Sequence, residues 1–318
     1  MKNQDFGAAT LPVKKASLGT RIKKEWQRNY CLYIFAIPIF IYFIMFKYVP
    51  MFGLVIAFKN FSLGKGVFGS DWVGFKYFME FFNSVYFTRT LTNTLTLSIL
   101  SILFNFPFPI IFALLLNEIK AGKLKRFVQT SSYLPHFISM VVICGIITDF
   151  CSSDGLITSI IVALGGDKIN YLADSRYFRT IFVTSGVWQT FGWSSIIYIA
   201  ALTGIDEQLY EAAAIDGATR WQRVWHITIP GIANTIIILL IMRLGHVLSV
   251  GYEKVILLYT PQTYDVADII SSYNYRLGII EARYGYSTAV GLFQSIINII
   301  VLVISNGLSR KYSETSLF

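Results

Sequence analysis

Charge is what this sequence has least of. Of its 318 residues, 14% are Asp, Glu, Lys or Arg, against 54% apolar and 16% aromatic, and the mean hydropathy is +0.56. Soluble domains average roughly 25% charged residues. The deficit, with several apolar runs of about 20 residues, excludes an ordinary soluble protein and indicates a multi-spanning membrane protein. Cysteine is scarce: Cys31, Cys144 and Cys151. Cys144 and Cys151 stand ~10 Å apart along a helix, too far for a disulfide, and all three read as packing residues. No zinc-ligand spacing occurs. No G-x-x-x-x-G-K-[ST] phosphate loop occurs either, so the chain lacks the means to hydrolyse a nucleotide alone.

Acidic residues are missing from the apolar runs in particular. All 18 Asp and Glu fall outside them, with Asp149 at a boundary. Proton- and sodium-coupled carriers place acids at depth, because a relay or ion site needs them; their absence argues against secondary coupling. The net charge of +9 is not a nucleic-acid signal, since Lys and Arg gather at the ends of apolar runs without forming a basic face. A basic excess there is what membrane orientation uses.

Six spans are expected, over 30–57, 90–116, 127–149, 180–204, 230–250 and 286–309. Each is long enough to cross ~30 Å of hydrocarbon. The basic tail 1–29, with Arg21, Lys23, Lys24 and Arg28, precedes an apolar run that continues through Phe46. That is longer than a cleavable signal allows, so this is an uncleaved first span. With the N-terminus inside, the inner segments carry fifteen Lys and Arg and the outer ones nine, Arg89 aside. The short loop holding Lys120, Lys123, Lys125 and Arg126 orients most strongly, and both termini are expected inside. Pro107, Pro109 and Pro135 remove backbone donors and bend helices. Such bends suit a pathway that opens and closes, and equally an ordinary packing kink.

What lines the spans is neutral and aromatic. The fourth carries Ser185, Trp188, Gln189, Trp193, Ser194, Ser195 and Tyr198; the sixth carries Gln294 and Asn298 one turn apart; the second carries Asn93 and Asn105. Amides and hydroxyls exchange hydrogen bonds with a polyhydroxylated solute, and aromatic faces stack on sugar rings. The same residues also glue helices together in lipid, at about 0.6 kcal/mol per bond. Arg243 and His246 on the fifth span are the exception. A cation at depth faces a cavity or a partner, so Arg243 pairs with carbonyls, with another subunit, or with the carboxylate of an anionic sugar.

Between the fourth and fifth spans lies a polar, Ala-rich insert. From Glu211 to Pro230 it reads EAAAIDGATRWQRVWHITIP. Asp206 suits the N-cap of a helix from Glu207 to about Ile215, and Glu207 suits its positive end. Ala212, Ala213 and Ala214 favour helix and keep it thin. Gly217 tolerates the left-handed turn that ends it, and Thr219 with Gln222 matches a capping box for a second helix. Trp221, Val224, Trp225 and Ile227 supply that helix with apolar contacts, and Pro230 marks the entry to the fifth span.

This insert resembles the EAA loop of binding-protein-dependent ABC transporter permeases, carried here by Glu211, Ala212, Ala213, Gly217, Ile227 and Pro230. The stretches FKYVPMFGLVIAFKNFS and GSDWVGFKYFMEFF resemble the oligosaccharide and polysaccharide branch, related to maltose-type permeases. The resemblance implies an all-α membrane protein of type I importer permease fold. Its permease domain, 30–318, would hold six transmembrane helices and a cytoplasmic coupling-helix loop at 205–230. It implies the bacterial plasma membrane, a second homologous permease subunit and a cytoplasmic ATPase dimer that holds the ATP and Mg. It also implies an extracellular solute-binding protein received by 58–89 and 251–285, and an oligosaccharide substrate. The chain itself would be non-catalytic, without cofactor, metal or nucleic acid. Glu211 would pair with a basic group of the ATPase, the alanines would permit close approach, and Gly217 would set the angle between the two short helices. Substrate-pathway candidates are Trp188, Gln189, Trp193, Tyr198, Arg243, His246, Gln294 and Asn298. Two other readings stay open: a permease of the same superfamily for a peptide or phosphate ester, and a passive channel or secondary carrier.

Overall fold

In a computed structural model of the chain, residues 18–120, 122–312 and 316–317 are described. Residues 1–17 of the expected basic tail lie outside them. The chain divides into two units, Met1–Val55 and Ile56–Phe318.

The first unit is helical over Leu18–Phe43, with a break at Asn29, where φ −124° and ψ 21° leave the helical region. Asn29 Nδ2 donates to Glu25 Oε2 at 2.9 Å beside that break. A π-helical turn, Ile44–Tyr48, precedes Pro50. Proline has no N–H to return to the carbonyl four residues back, and a widened turn absorbs the defect. The Ile, Phe, Tyr and Met side chains of this helix are exposed, as a helix bathed in lipid requires.

The second unit is almost entirely helical; its one sheet among the described residues pairs Lys59–Asn60 antiparallel with Asp71–Trp72. Ser175–Leu202, 28 residues long, organises the packing. Val85–Asn105, Pro107–Glu118 and Lys123–Tyr133 all lie against it. Its buried stripe runs through Phe178, Phe182, Gln189, Gly192, Ser195, Tyr198 and Leu202, the spacing of one helical face.

Gly192 sets the closest of these approaches. A Cβ at that position would sit 2.1 Å from the carbonyl oxygen of Ser132. Backbone cannot swing aside as a side-chain tip does, so Gly192→Ala must push the two helices apart. Overpacking of this kind costs about 1–3 kcal/mol. The expected result is a lower thermal midpoint and a poorer yield of folded protein in detergent. An unchanged midpoint would show that the approach is not binding on the fold.

Four helical stretches are long and apolar enough to cross a membrane: Glu25–Phe58, Val85–Glu118, Met140–Ala163 and Tyr284–Lys311. Arg220–Gly231 with Ala233–Leu244 makes a fifth if the pair, bent by 60°, counts as one. Ser175–Leu202 has the length but not the apolarity, because it carries Arg176, Arg179, Gln189 and a series of hydroxyls.

Two expected spans take a different form. The run 127–149 is not continuous: Lys123–Tyr133 gives way to a 3-10 turn, Leu134–Phe137, and a new helix starts at Met140. Pro135 ends the first, and Ser139 caps the second by accepting from Val142 N. In the run 230–250 the helix breaks after Gly231, resumes over Ala233–Leu244 and ends there, so His246 falls in the turn beyond it. Twelve residues rise about 18 Å, short of the ~30 Å hydrocarbon core. The irregular backbone that follows therefore needs protein partners. It finds them on the last helix: Asn298 Oδ1 accepts from Leu248 N at 3.0 Å, and Gln294 Nε2 donates to Leu248 O at 2.5 Å.

Candidate functional site

Within the second unit the helices enclose a cavity of about 710 Å³. Val85–Asn105, Pro107–Glu118, Ser175–Leu202 and Ala233–Leu244 wall it, together with a short helix, Tyr252–Leu258. Of the expected pathway residues it gathers Gln189, Trp193, Tyr198, Arg243 and His246. Trp188 points elsewhere, into an apolar cleft with Ile147, Phe150 and Ile161. Gln294 and Asn298 do not line the cavity; their amides hold the Leu248 backbone and the Ser249 hydroxyl, the helix-gluing alternative.

The lining has two characters. Trp193 gives it a flat aromatic face, backed outside the lining by His136, with centroids 4.6 Å apart and rings within 3° of parallel. The polar part of the lining carries no acid. Ser98, Ser101, Thr190 and Ser194 offer hydroxyls, Asn105 and Gln189 offer amides, and Arg243, His246 and Lys254 offer positive charge or donors. Gln189 is 7% exposed. Arg243 forms no ion pair among the described residues.

Lys254 was not among the expected pathway residues. Sequence position put it in the outer segment 251–285, where a lysine reads as solvated. It is instead 5% exposed. Its Nζ donates to the carbonyl of Phe182 at 2.8 Å and lies 4.8 Å from the centroid of that ring. Burial pushes its ammonium down to about 8, opposed by the nearby Cys144. The available signal was its place in KVILL, a charge on the buried side of a short amphipathic helix.

A second cavity, also about 710 Å³, opens among Glu80, Tyr86, Arg89, Arg276 and Arg283. Beneath it Asp268 is fully buried. Arg276 grips both carboxylate oxygens, at 2.9 and 2.7 Å; Arg89 reaches one at 3.3 Å and Ser272 donates to the other at 2.8 Å. The hydrogen bond to Asp268 raises the Arg276 guanidinium above its ordinary value, against desolvation. Asn93 ties the same knot to the second span, donating to the carbonyls of Asp265 and Asp268. Arg283 pairs with Glu80 at the rim.

The insert at 205–230 is built from two short helices with matched caps. Asp206 accepts from Gln208 N at 3.0 Å to start Glu207–Ile215. Gly217, at φ +75°, ends it. Gly217 N donates to Ala214 O and Ala218 N to Ala213 O, the paired bonds of a Schellman stop. Thr219 and Gln222 then exchange the two bonds of a capping box to open Arg220–Arg223. A π-turn, Val224–Thr228, precedes Pro230, the device already seen before Pro50. Glu211, Ala212, Gly217 and Pro230 are exposed, and Ala213 and Ile227 half-buried. Tyr210 and Thr228 share a hydrogen bond of 3.0 Å that ties the two ends together.

Residues 105–314 match the family described as binding-protein-dependent transport system inner membrane component. Over 308 residues the chain is 44% identical to protein LplB of Bacillus subtilis (strain 168), covering 96% of this chain and 97% of that protein. It is 43% identical over 306 residues to the polygalacturonan/rhamnogalacturonan transport system permease protein YteP of the same organism, covering 96% and 95%. A bacterial alginate ABC transporter, solved in complex with an alginate pentasaccharide-bound periplasmic protein, contains a chain of similar fold. The TM-score is 0.86 at 43% identity, over 93% of this chain and all of that one.

Proposed function

The chain belongs to the binding-protein-dependent transport system inner membrane components, and we propose that it is the permease subunit of an ATP-driven oligosaccharide importer. It supplies half of a translocation pathway and couples that half to a separate ATPase. The observation that carries the reading is the cavity at Gln189, Trp193 and Arg243: aromatic faces among hydroxyls and amides, with no acid in its lining. Stacking faces and neutral donors suit a sugar. Neither a proton relay nor a sodium site has the carboxylate it would need.

The remaining parts follow from the same reading. Six spans cross the membrane, with Ser175–Leu202 as the polar inner one and both termini cytoplasmic. The paired helices of 205–230 dock in the ATPase dimer through Glu211 and its alanines. The segments 58–89 and 251–285, held together by Asp268, receive a solute-binding protein on the opposite side. A second permease subunit closes the pathway. Nucleotide binding in the ATPase biases a bundle with inward- and outward-open arrangements, and the binding protein biases the same bundle from outside.

The test is uptake by the reconstituted complex in proteoliposomes, with and without ATP, over a panel of glycans, peptides and phosphate esters. Uptake of oligosaccharides that requires ATP and the ATPase is expected. Uptake without them, or of peptides or phosphate esters in place of glycans, would overturn the reading.

A further inference from the structure

Lys254 is a buried cation without a counter-ion. Among the described residues it enters no ion pair, and its single hydrogen bond goes to the Phe182 carbonyl. An ammonium has three donors, so two remain to be used. Burying a charge without a counter-ion is costly, and only the carbonyl and ring of Phe182 offset it.

Beside it lies a second unmet group. Asn105 Oδ1 is buried without a hydrogen-bond partner. Asn105 closes the helix Val85–Asn105, and Pro109, four residues on, has no N–H to give its backbone carbonyl. Gly186 joins the two. A Cβ there would lie 3.3 Å from Lys254 Nζ and 3.4 and 3.6 Å from the Asn105 amide atoms. Because Gly186 has no side chain, the Lys254 ammonium and the Asn105 amide both close over it, a cation beside a partnerless amide oxygen. Both groups face the 710 Å³ cavity.

We propose that Lys254 and Asn105, across Gly186, form a subsite that selects acidic over neutral sugars. The Lys254 ammonium takes the carboxylate of a uronate unit, and Asn105 takes a neighbouring hydroxyl. A hydroxyl both donates and accepts, so it satisfies the amide in either orientation. A neutral sugar leaves Lys254 on the Phe182 carbonyl and gains nothing from the charge. A carboxylate gains a charge-assisted hydrogen bond from an ammonium that is itself buried. This inference rests on the carbohydrate reading and narrows its substrate class.

The test uses the assembled permease–ATPase complex in nanodiscs, with the binding protein omitted so that the preference measured is the permease's own. Trigalacturonate and its fully methyl-esterified form are titrated calorimetrically. Wild type is expected to bind the acid about tenfold or more tightly than the ester. Lys254→Met is expected to lose that preference, acid binding falling to the level of ester binding, while Lys254→Arg retains the preference. The inference is overturned if wild type shows no preference, if Lys254→Met keeps it, or if Lys254→Arg loses it as Lys254→Met does. Absence of any ATP-driven glycan uptake would instead overturn the carbohydrate reading beneath it. Intact uptake without an acid preference overturns the Lys254 inference alone.

Discussion

An importer carrying Glu211→Lys or Gly217→Trp is expected to insert in the membrane, retain ATP hydrolysis and move almost no solute. The argument is mechanical. Glu211 is exposed on a helix whose stop, at Gly217, and whose successor's start, at Thr219, are both hydrogen-bonded. Two short helices fixed in this way turn as one piece. The second runs through the π-turn and Pro230 to Ile232, which is fully buried against Tyr198, Leu202 and Ala113. Beyond Ile232, Ala233–Leu244 carries Leu239 and Arg243 to the cavity wall. Displacement at Glu211 therefore has a packed route to the pathway. Glu211→Lys reverses the charge on the exposed face proposed to dock in the ATPase. Gly217→Trp places a Cβ at φ +75°, which costs an L-residue roughly 1–2 kcal/mol and alters the angle between the helices. ATPase activity and solute uptake are measured together in proteoliposomes. Wild-type uptake by both variants would remove the coupling role.

Asp268→Ala is expected to be among the most damaging single changes to folding. Asp268 is fully buried, and its loss leaves Arg276, Arg89 and Ser272 aimed at an empty space. Removing one partner from a buried charged cluster costs about 3–5 kcal/mol. For a protein of this size that corresponds to a fall of about 6–10 °C in the thermal midpoint. The exposed pair Arg283–Glu80 supplies the contrast: Arg283→Gln removes an interaction worth about 1 kcal/mol or less. Thermal unfolding of the two purified variants in one detergent compares them directly. Equal midpoints would mean that Asp268 does not hold the segments 58–89 and 251–285 together.

The two clusters differ in how well the sequence announces them. Cap chemistry is local, so Asp206, Gly217, Thr219 and Gln222 specify the insert from a window of a few residues, and the structure has the same helix ends. Long apolar runs are equally plain, as at Val85–Glu118 and Tyr284–Lys311. The run 127–149 misleads because it carries no Lys, Arg, Asp or Glu before Asp149, while Pro135 and Ser139 break and restart the helix inside it. The run 230–250 misleads for another reason. Nothing before residue 245 says that Gln294 and Asn298, some fifty residues on, will satisfy a broken backbone. Lys254 and Asp268 share that problem. Their burial is decided by helices distant in sequence, and each alone reads as an ordinary surface charge. Composition suggested a sugar pathway through Gln189, Trp193 and Tyr198, but helix rotation decided that Trp188, their neighbour, faces away.

The clamp of Gln294 and Asn298 on Leu248 also bears on the order of events during synthesis. The Leu248 N–H and carbonyl emerge from the ribosome well before the amides that satisfy them. At about 5–20 residues per second, the wait is a few seconds. Until the last helix arrives, the fifth segment carries bare polar backbone that hydrocarbon will not accept. The nascent chain must hold this segment back, at the membrane surface or within the insertion machinery. The C-terminal helix is thus the piece whose arrival permits its predecessor to enter.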